Sequence, residues 1–134
     1  MNFLYLLLAA VAAAFIIRMV IRARPGIDLA TAQASVKSGS AVLVDIREPS
    51  EWRAGVARQA ALLPLSDLRG SRTQWRAFLE KHHGKKLLLY CQSGSRSSLA
   101  AAQLRGEGFD AINAGSLHAW DRAGWPISPP RSGR

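Results

Sequence analysis

Apolar positions along the chain fall into one long block and several short ones, and the two kinds predict different structures. From Met1 to Ile17 no side chain is charged, and Met19, Val20 and Ile21 extend the run to 21 residues broken only by Arg18. As a helix this run would be about 31 Å long at 1.5 Å per residue, close to the hydrocarbon thickness of a bilayer. Residues 1–22 are therefore predicted to form a transmembrane helix. Arg18, near its end, can lay its stem along apolar surface while the guanidinium reaches the headgroups. A cleaved signal peptide competes with this reading, since small-x-small triplets such as Ala10-Val11-Ala12 are present. Against it, no basic residue precedes the apolar run, and cleavage there would leave "FIIRMVI" exposed. A buried core helix is the third reading, for which a small soluble domain has little room.

Beyond this block the apolar runs shorten and alternate in period. Pro25-Gly26 within "RARPGID" stops the first helix, so residues 23–28 read as a linker. Asp28 can cap a helix with Leu29, Ala32 and Val36 on one face, ended near Gly39. "AVLVD" (41–45) is a short apolar run between turn signals and predicts a buried strand. "ALLPL" (61–65), closed by Pro64, is a weaker strand candidate. Ser71-x-x-Gln74 matches a capping box, and Trp75, Phe78, Leu79 and His82 follow helical spacing until Gly84. "KKLLLYC" (85–91) predicts a second buried strand, and residues 96–105 a helix with Leu99, Ala100, Ala102 and Leu104 for packing. Gly106 and Gly108 separate that helix from a short strand, "DAIN" (110–113), and a last helix spans 116–123 with Leu117 and Trp120. Alternating strands and helices indicate an α/β domain over residues 29–128, with a small, mainly parallel sheet flanked by helices. "PPRSGR" (129–134) reads as a disordered tail.

Charge adds topology. The 18 basic residues, 14 Arg and 4 Lys, against 9 acidic ones give a net charge of +9. Arg18, Arg22 and Arg24 all lie on the C-terminal side of the apolar run, so the positive-inside rule places the following domain in the cytoplasm of a single-pass membrane protein. The remaining basic residues are scattered, and Arg131 and Arg134 close the tail. An anionic membrane surface is the partner such a tethered basic domain suits. No interleaving of basic and aromatic residues points to nucleic acid. One cysteine permits neither an internal disulfide nor a cysteine-rich zinc site, and a free thiol suits a reducing compartment.

That cysteine carries the candidate chemistry. Cys91 ends the predicted strand and opens "CQSGSRS", which leads into a helix. A strand, loop and helix in this order put the loop at the carboxyl edge of the sheet, where α/β proteins bind ligands. Gln92, Ser93, Gly94, Ser95 and Arg96 can turn backbone N–H groups inward, and Gly94 permits the tight turn. The helix adds its positive N-terminal end, and Arg96 a positive charge. Such a cradle lowers a thiol's pKa and makes Cys91 a candidate nucleophile. The bland alternative is a small buried hydrophobe, which would not need the glycine, serines and arginine that follow.

The segments "VDIREPSEW", "YCQSGSRS" and "GFDAINAGSLHAWDRAGWPI" together resemble a single rhodanese domain. The family's pattern is Asp-x-Arg-x-x-x-Glu, then Cys-x-x-Gly-x-Arg-Ser, then Gly-Phe, Gly, Trp and a closing Gly-x-Pro, and the match covers about residues 28–128. The resemblance implies a rhodanese fold and a sulfurtransferase that needs no cofactor. Cys91 would take a sulfane sulfur from thiosulfate or a protein persulfide and pass it to an acceptor thiol or cyanide. Two departures stand out. In "GVARQAALLP" (55–64) Val56 and Gln59 replace a histidine and a glycine common in the family, and Gln92 replaces an arginine, which puts the donor in doubt. A phosphatase of the Cys-x5-Arg kind is the nearest rival, but only four residues separate Cys91 from Arg96, and Tyr90 stands where those enzymes have histidine. A binding module with a vestigial loop, tethered to the membrane, is the alternative of another class.

Supporting residues each have two readings. Arg47 either orients an anionic donor or joins an internal ion pair with Asp45, with Glu51 as a further partner. Ser95 and Ser97 either offer hydroxyls to a persulfide or cap the helix. Adjacent His82 and His83 project to different faces and make a poor metal site. Trp52, Trp75, Trp120 and Trp125 read as packing, and His118 as a surface residue.

Overall fold

The computed structural model describes residues 2–130. In chain order its elements are α1 (Phe3–Ala23), α2 (Leu29–Ser38), β1 (Ala41–Asp45), α3 (Pro49–Trp52), β2 (Val56–Ala57), β3 (Ala61–Leu62), α4 (Leu65–Arg69), α5 (Thr73–Lys81), β4 (Lys86–Cys91), α6 (Ser95–Gly106), β5 (Ala111–Ser116), α7 (Leu117–Arg122) and β6 (Ile127–Ser128). Four strands form a parallel sheet in the order β3-β1-β4-β5. The expected α/β architecture is therefore present.

Period-two alternation in β4 sorts the core onto two faces. Leu87, Leu89 and Cys91 join Trp75, Phe78, Leu79, Ala100 and Leu104 beneath α4, α5 and α6. Leu88 and Tyr90 point the other way, to Ala32, Val36, Trp120 and Trp125 beneath α2 and α7. The sheet's central strands are buried on both sides, which is why "AVLVD" and "LLLYC" carry apolar runs rather than alternation.

Local signals place most helices. The Asp28 carboxylate accepts from the Thr31 N–H at the start of α2, and Gly39 closes that helix in the left-handed region at φ 81°. The capping box expected at Ser71 is not formed. Arg72 is the N-cap in a left-handed conformation, and the first amides of α5, those of Gln74 and Trp75, go instead to Asp67 of α4. A carboxylate from a neighbouring turn satisfies them better than a hydroxyl one position too early. On α6, Ala100, Ala101 and Leu104 are buried, whereas Leu99 and Ala102, expected to pack, face outward.

Several short elements lie outside the sequence pattern. Pro64 precedes α4 rather than ending a strand, so "ALLPL" contributes only Ala61 and Leu62 to the sheet. β2 and β6 form a separate antiparallel pair with Val56 opposite Ser128 and Ala57 opposite Ile127. β5 extends to Ser116, three residues beyond "DAIN", through a bulge at which Leu89 pairs with Asn113 but Tyr90 with Gly115.

α1 has no buried residue, and its mean hydropathy reaches 2.5 over an 18-residue window. It is long and apolar enough to cross a membrane. Its last turn packs on α6 and β5, so the segment expected as a free linker is short and held: the Gly26 N–H donates to the Asn113 carbonyl at 2.8 Å. Pro129 and Pro130 are the described part of the expected tail, and residues 131–134, with Arg131 and Arg134, lie outside the described residues.

Candidate active site

Cys91 is the last residue of β4, a free thiol with no exposed surface. The chain turns at Gly94 (φ 91°), which is the N-cap of α6 and provides no capping side chain. The cysteine sulfur stands in for one. The Gly94 N–H donates to Cys91 Sγ at 3.1 Å and the Ser97 N–H at 3.5 Å, so an amide of the helix's first turn ends on sulfur. The Ser97 hydroxyl lies 3.4 Å from the same atom. Burial by itself would push the thiol up, but the Ser97 hydroxyl and the amides of Ser97, Ser93 and Gly94 outweigh it, leaving the Cys91 pKa below its ordinary value.

Behind the sulfur is Asn113, a buried amide that sequence reasoning did not single out. Its Oδ1 accepts from the Ser97 hydroxyl at 2.7 Å and from the Gly115 N–H at 3.1 Å. Its Nδ2 faces the carbonyls of Gly94, Arg22, Ala23 and Arg24 at 3.1 to 3.4 Å. The one signal in the sequence is an amide inside an otherwise apolar strand segment, and the bulge that turns it toward the loop cannot be read there.

A second polar cluster lies beside the loop. Arg47, 1% exposed, binds Asp45 through Nε and Nη2, the latter at 2.8 Å. Its remaining N–H groups go to the carbonyls of Gly55 and Glu51 and to Gln92 Oε1. All five guanidinium donors are thereby committed. Burial opposes the positive charge, and the bonds and attraction from Asp45 more than offset it. The Tyr90 hydroxyl donates to Asp45 at 2.6 Å and accepts from the Ala57 N–H, and burial raises its pKa well above the ordinary tyrosine value.

Glu51 does not pair with Arg47 through its side chain. Its carboxylate takes Arg96 in a bidentate grip at 2.7 and 2.8 Å and the Glu48 N–H at 2.8 Å, because α3 turns it toward α6. The Arg96 bonds hold the Glu51 pKa at about 2. Arg96 remains about one-third exposed with donors to spare, and its charge is felt by Cys91.

The structure thus brings Cys91, Gln92, Ser93, Gly94, Ser95, Arg96, Ser97, Asp45 and Arg47 to one sheet edge. Ser95 does not reach the sulfur: its hydroxyl accepts from Ser93 Oγ. Neither Ser95 nor Ser97 caps α6. Val56 is buried in β2, and Gln59 occupies a left-handed conformation at φ 69°, the shape for which a glycine is suited. Trp75, Trp120 and Trp125 are buried, Trp52 is half-buried with an unpartnered indole N–H, and His118 is exposed. His82 packs tilted against Phe78, with ring centroids 4.6 Å apart. Among the described residues no group of three His, Cys, Asp or Glu side chains comes together as a metal site.

Comparison with known proteins places these features in context. Residues 28–123 match the family model described as the rhodanese-like domain. An uncharacterized protein of Synechocystis is 40% identical over 98 residues, which are 72% of this chain, and the chain spans about half (51%) of that relative's length. A sulfurtransferase of Allochromatium vinosum is 36% identical over 93 residues, covering 66% of this chain and 79% of that protein. A solved human single-domain sulfurtransferase superposes with a TM-score of 0.59 at 28% identity, covering 74% of this chain and 96% of the other.

Proposed function

The chain belongs to the rhodanese-like domain family, and on that premise we propose that it is a membrane-anchored sulfurtransferase acting through a Cys91 persulfide. The observation that carries this reading is the sulfur's position as the cap of α6, where amides of Gly94 and Ser97 already converge on it. Donors placed in advance around an atom that becomes more negative stabilise that charge without reorganising.

The reaction is a double displacement. The Cys91 thiolate attacks the sulfane sulfur of thiosulfate, or the outer sulfur of a protein persulfide. A new S–S bond forms on Cys91, the donor's S–S bond breaks, and sulfite or a thiolate leaves with the electron pair. An acceptor thiolate, or cyanide, then attacks the outer sulfur of the Cys91 persulfide. The product is the acceptor persulfide or thiocyanate, and the Cys91 thiolate is restored. No cofactor and no external oxidant is needed. Gln92, Ser93, Gly94 and Ser95 form the loop around the transferred sulfur, Arg96 faces an incoming anion, and Ser97 supports the sulfur from below. Arg47 and Asp45 brace the loop from the adjacent strand, since no Arg47 donor is left for substrate.

In this reading residues 1–22 anchor the chain, and residues 23–28 join the anchor to the domain of residues 29–128. Support for the anchor is an apolar helix with no buried residue, a surface that a water-soluble monomer does not tolerate. Arg18, Arg22 and Arg24 on the domain side favour a cytoplasmic domain resting on anionic headgroups. Mass spectrometry of the full chain in detergent after thiosulfate treatment tests the chemistry. We expect a gain of one sulfur on Cys91, with none on Cys91→Ala and sulfur transfer by that variant at the uncatalysed rate. The complete burial of Cys91 favours one second reading, a tethered binding module. No adduct with thiosulfate or a persulfide donor would favour that alternative instead.

A further inference from the structure

Nothing in the sulfurtransferase reading requires the end of the apolar helix to touch the cysteine loop, yet it does. The carbonyls of Arg22, Ala23 and Arg24, which α1 leaves without helical partners at its C-terminus, converge on Asn113 Nδ2. The same nitrogen faces the Gly94 carbonyl at 3.2 Å. With carbonyls on one side of the amide, and the Ser97 hydroxyl and Gly115 N–H on the other, only one orientation of the Asn113 side chain is possible. The close fit continues around it. A side chain at position 94 would collide with the Ala23 carbonyl oxygen, and a Cβ at Gly115 would lie 2.8 Å from Pro25 Cγ.

We infer that Asn113 is a positioning residue that joins the exit of α1 to the cysteine loop, so that seating of the helix end on the domain keeps the Gly94 and Ser97 donors aimed at Cys91 Sγ. The carbonyls of residues 22–24 fix the amide. The amide holds the Gly94 carbonyl, and so the residue whose own N–H, in the preceding peptide, meets the sulfur. Its oxygen also holds the Ser97 hydroxyl within reach of the sulfur, so that the hydroxyl can turn from Asn113 Oδ1 to sulfur when negative charge appears there. Asn113 itself does not touch the sulfur.

The charged groups that the domain itself places near the thiol do not supply this coupling. Arg96 of α6 is paired with Glu51 of α3. Arg47, two residues past β1, is paired with Asp45 and reaches the loop only through Gln92. β5 carries no charged residue, and α1 brings Arg22 and Arg24 at its end.

The inference concerns the thiolate that the sulfurtransferase reading relies on, and its test needs no sulfur donor. The rate of Cys91 alkylation by iodoacetamide is followed against pH on the full chain in detergent micelles, with Cys91→Ala as the blank. Asn113→Ala is expected to move the midpoint upward by about one pH unit, which slows alkylation at pH 7 about tenfold. A five-residue Gly-Ser insertion between Arg24 and Pro25 leaves Asn113 in place and frees the helix end. It is expected to move the midpoint the same way by a smaller amount, and it decides the matter alone if Asn113→Ala does not fold. An unchanged midpoint in the insertion variant, with tryptophan fluorescence showing an intact domain, overturns the coupling, whatever Asn113→Ala does. Shifted midpoints in a protein that takes no sulfur from any donor would leave the coupling standing and remove only the sulfurtransferase reading.

Discussion

Two polar clusters share the carboxyl edge of this sheet, and they use their hydrogen bonds in opposite ways. Around Arg47, every donor is matched within the protein: five guanidinium N–H groups meet Asp45, Gly55, Glu51 and Gln92, and Tyr90 closes the other side of Asp45. Around Cys91, at the end of the neighbouring strand, backbone amides are aimed at a thiol sulfur, which is a weak acceptor until it loses its proton. The first cluster is complete as it stands and holds the loop's base. The second becomes fully satisfied only when charge develops. The saturated network is scaffold, and on the sulfurtransferase reading the network whose best state is the ionised one is the site.

Removing one partner from the saturated cluster should produce the largest loss of stability. Arg47→Leu leaves Asp45 buried without its counter-ion, and a cost of about 3–5 kcal/mol is expected, read as a lowered urea midpoint. A much smaller loss would mean that water reaches Asp45, and the contrast between the clusters would weaken. Ser97→Ala addresses the other cluster. It removes a hydroxyl that helps lower the Cys91 pKa, so the alkylation midpoint, expected below the ordinary cysteine value in the natural chain, should rise toward it. Because thiolate grows as pH rises, alkylation at pH 7 should slow several-fold while stability falls by only about 1 kcal/mol. A midpoint that stays put would show that the amides act alone. Least of all should follow from Gln59→Gly. Relief of the left-handed backbone at φ 69° outweighs the added flexibility of the unfolded chain, for a net gain of about 0.5 kcal/mol in urea denaturation and no change in alkylation.

What the sequence disclosed divides along the same line. Buried strands announce themselves through apolar runs, and "LLLYC" placed Cys91 at a sheet edge because a strand end followed by glycine and serine admits few other structures. The loop's geometry was legible for a related reason: Gly94 and the residues beside it are local to the cysteine. Asn113 at this edge, and the pairing of Glu51 with Arg96, were not legible, because the partners are far along the chain. Asn113 meets the end of α1 some ninety positions earlier, and its direction depends on a bulge in β5. The missed cap of α5 has a different cause: Asp67 is only eight residues from Trp75 but reaches the helix from another turn, which a helix-start pattern does not include. Short pieces such as α3, β2 and β6 carry too few residues to show a period at all.

The junction after α1 has a mechanical consequence. Between Ala23 and Asp28 there is almost no slack, because Gly26 is hydrogen-bonded to Asn113 and Pro25 lies against Gly115. On the membrane reading the domain is then no ball on a string: its height above the lipid and its tilt are set by the helix itself. A thiol carried by another membrane protein would meet the loop by sliding in two dimensions at a high effective concentration, whereas one dissolved in the cytoplasm would gain nothing from the tether.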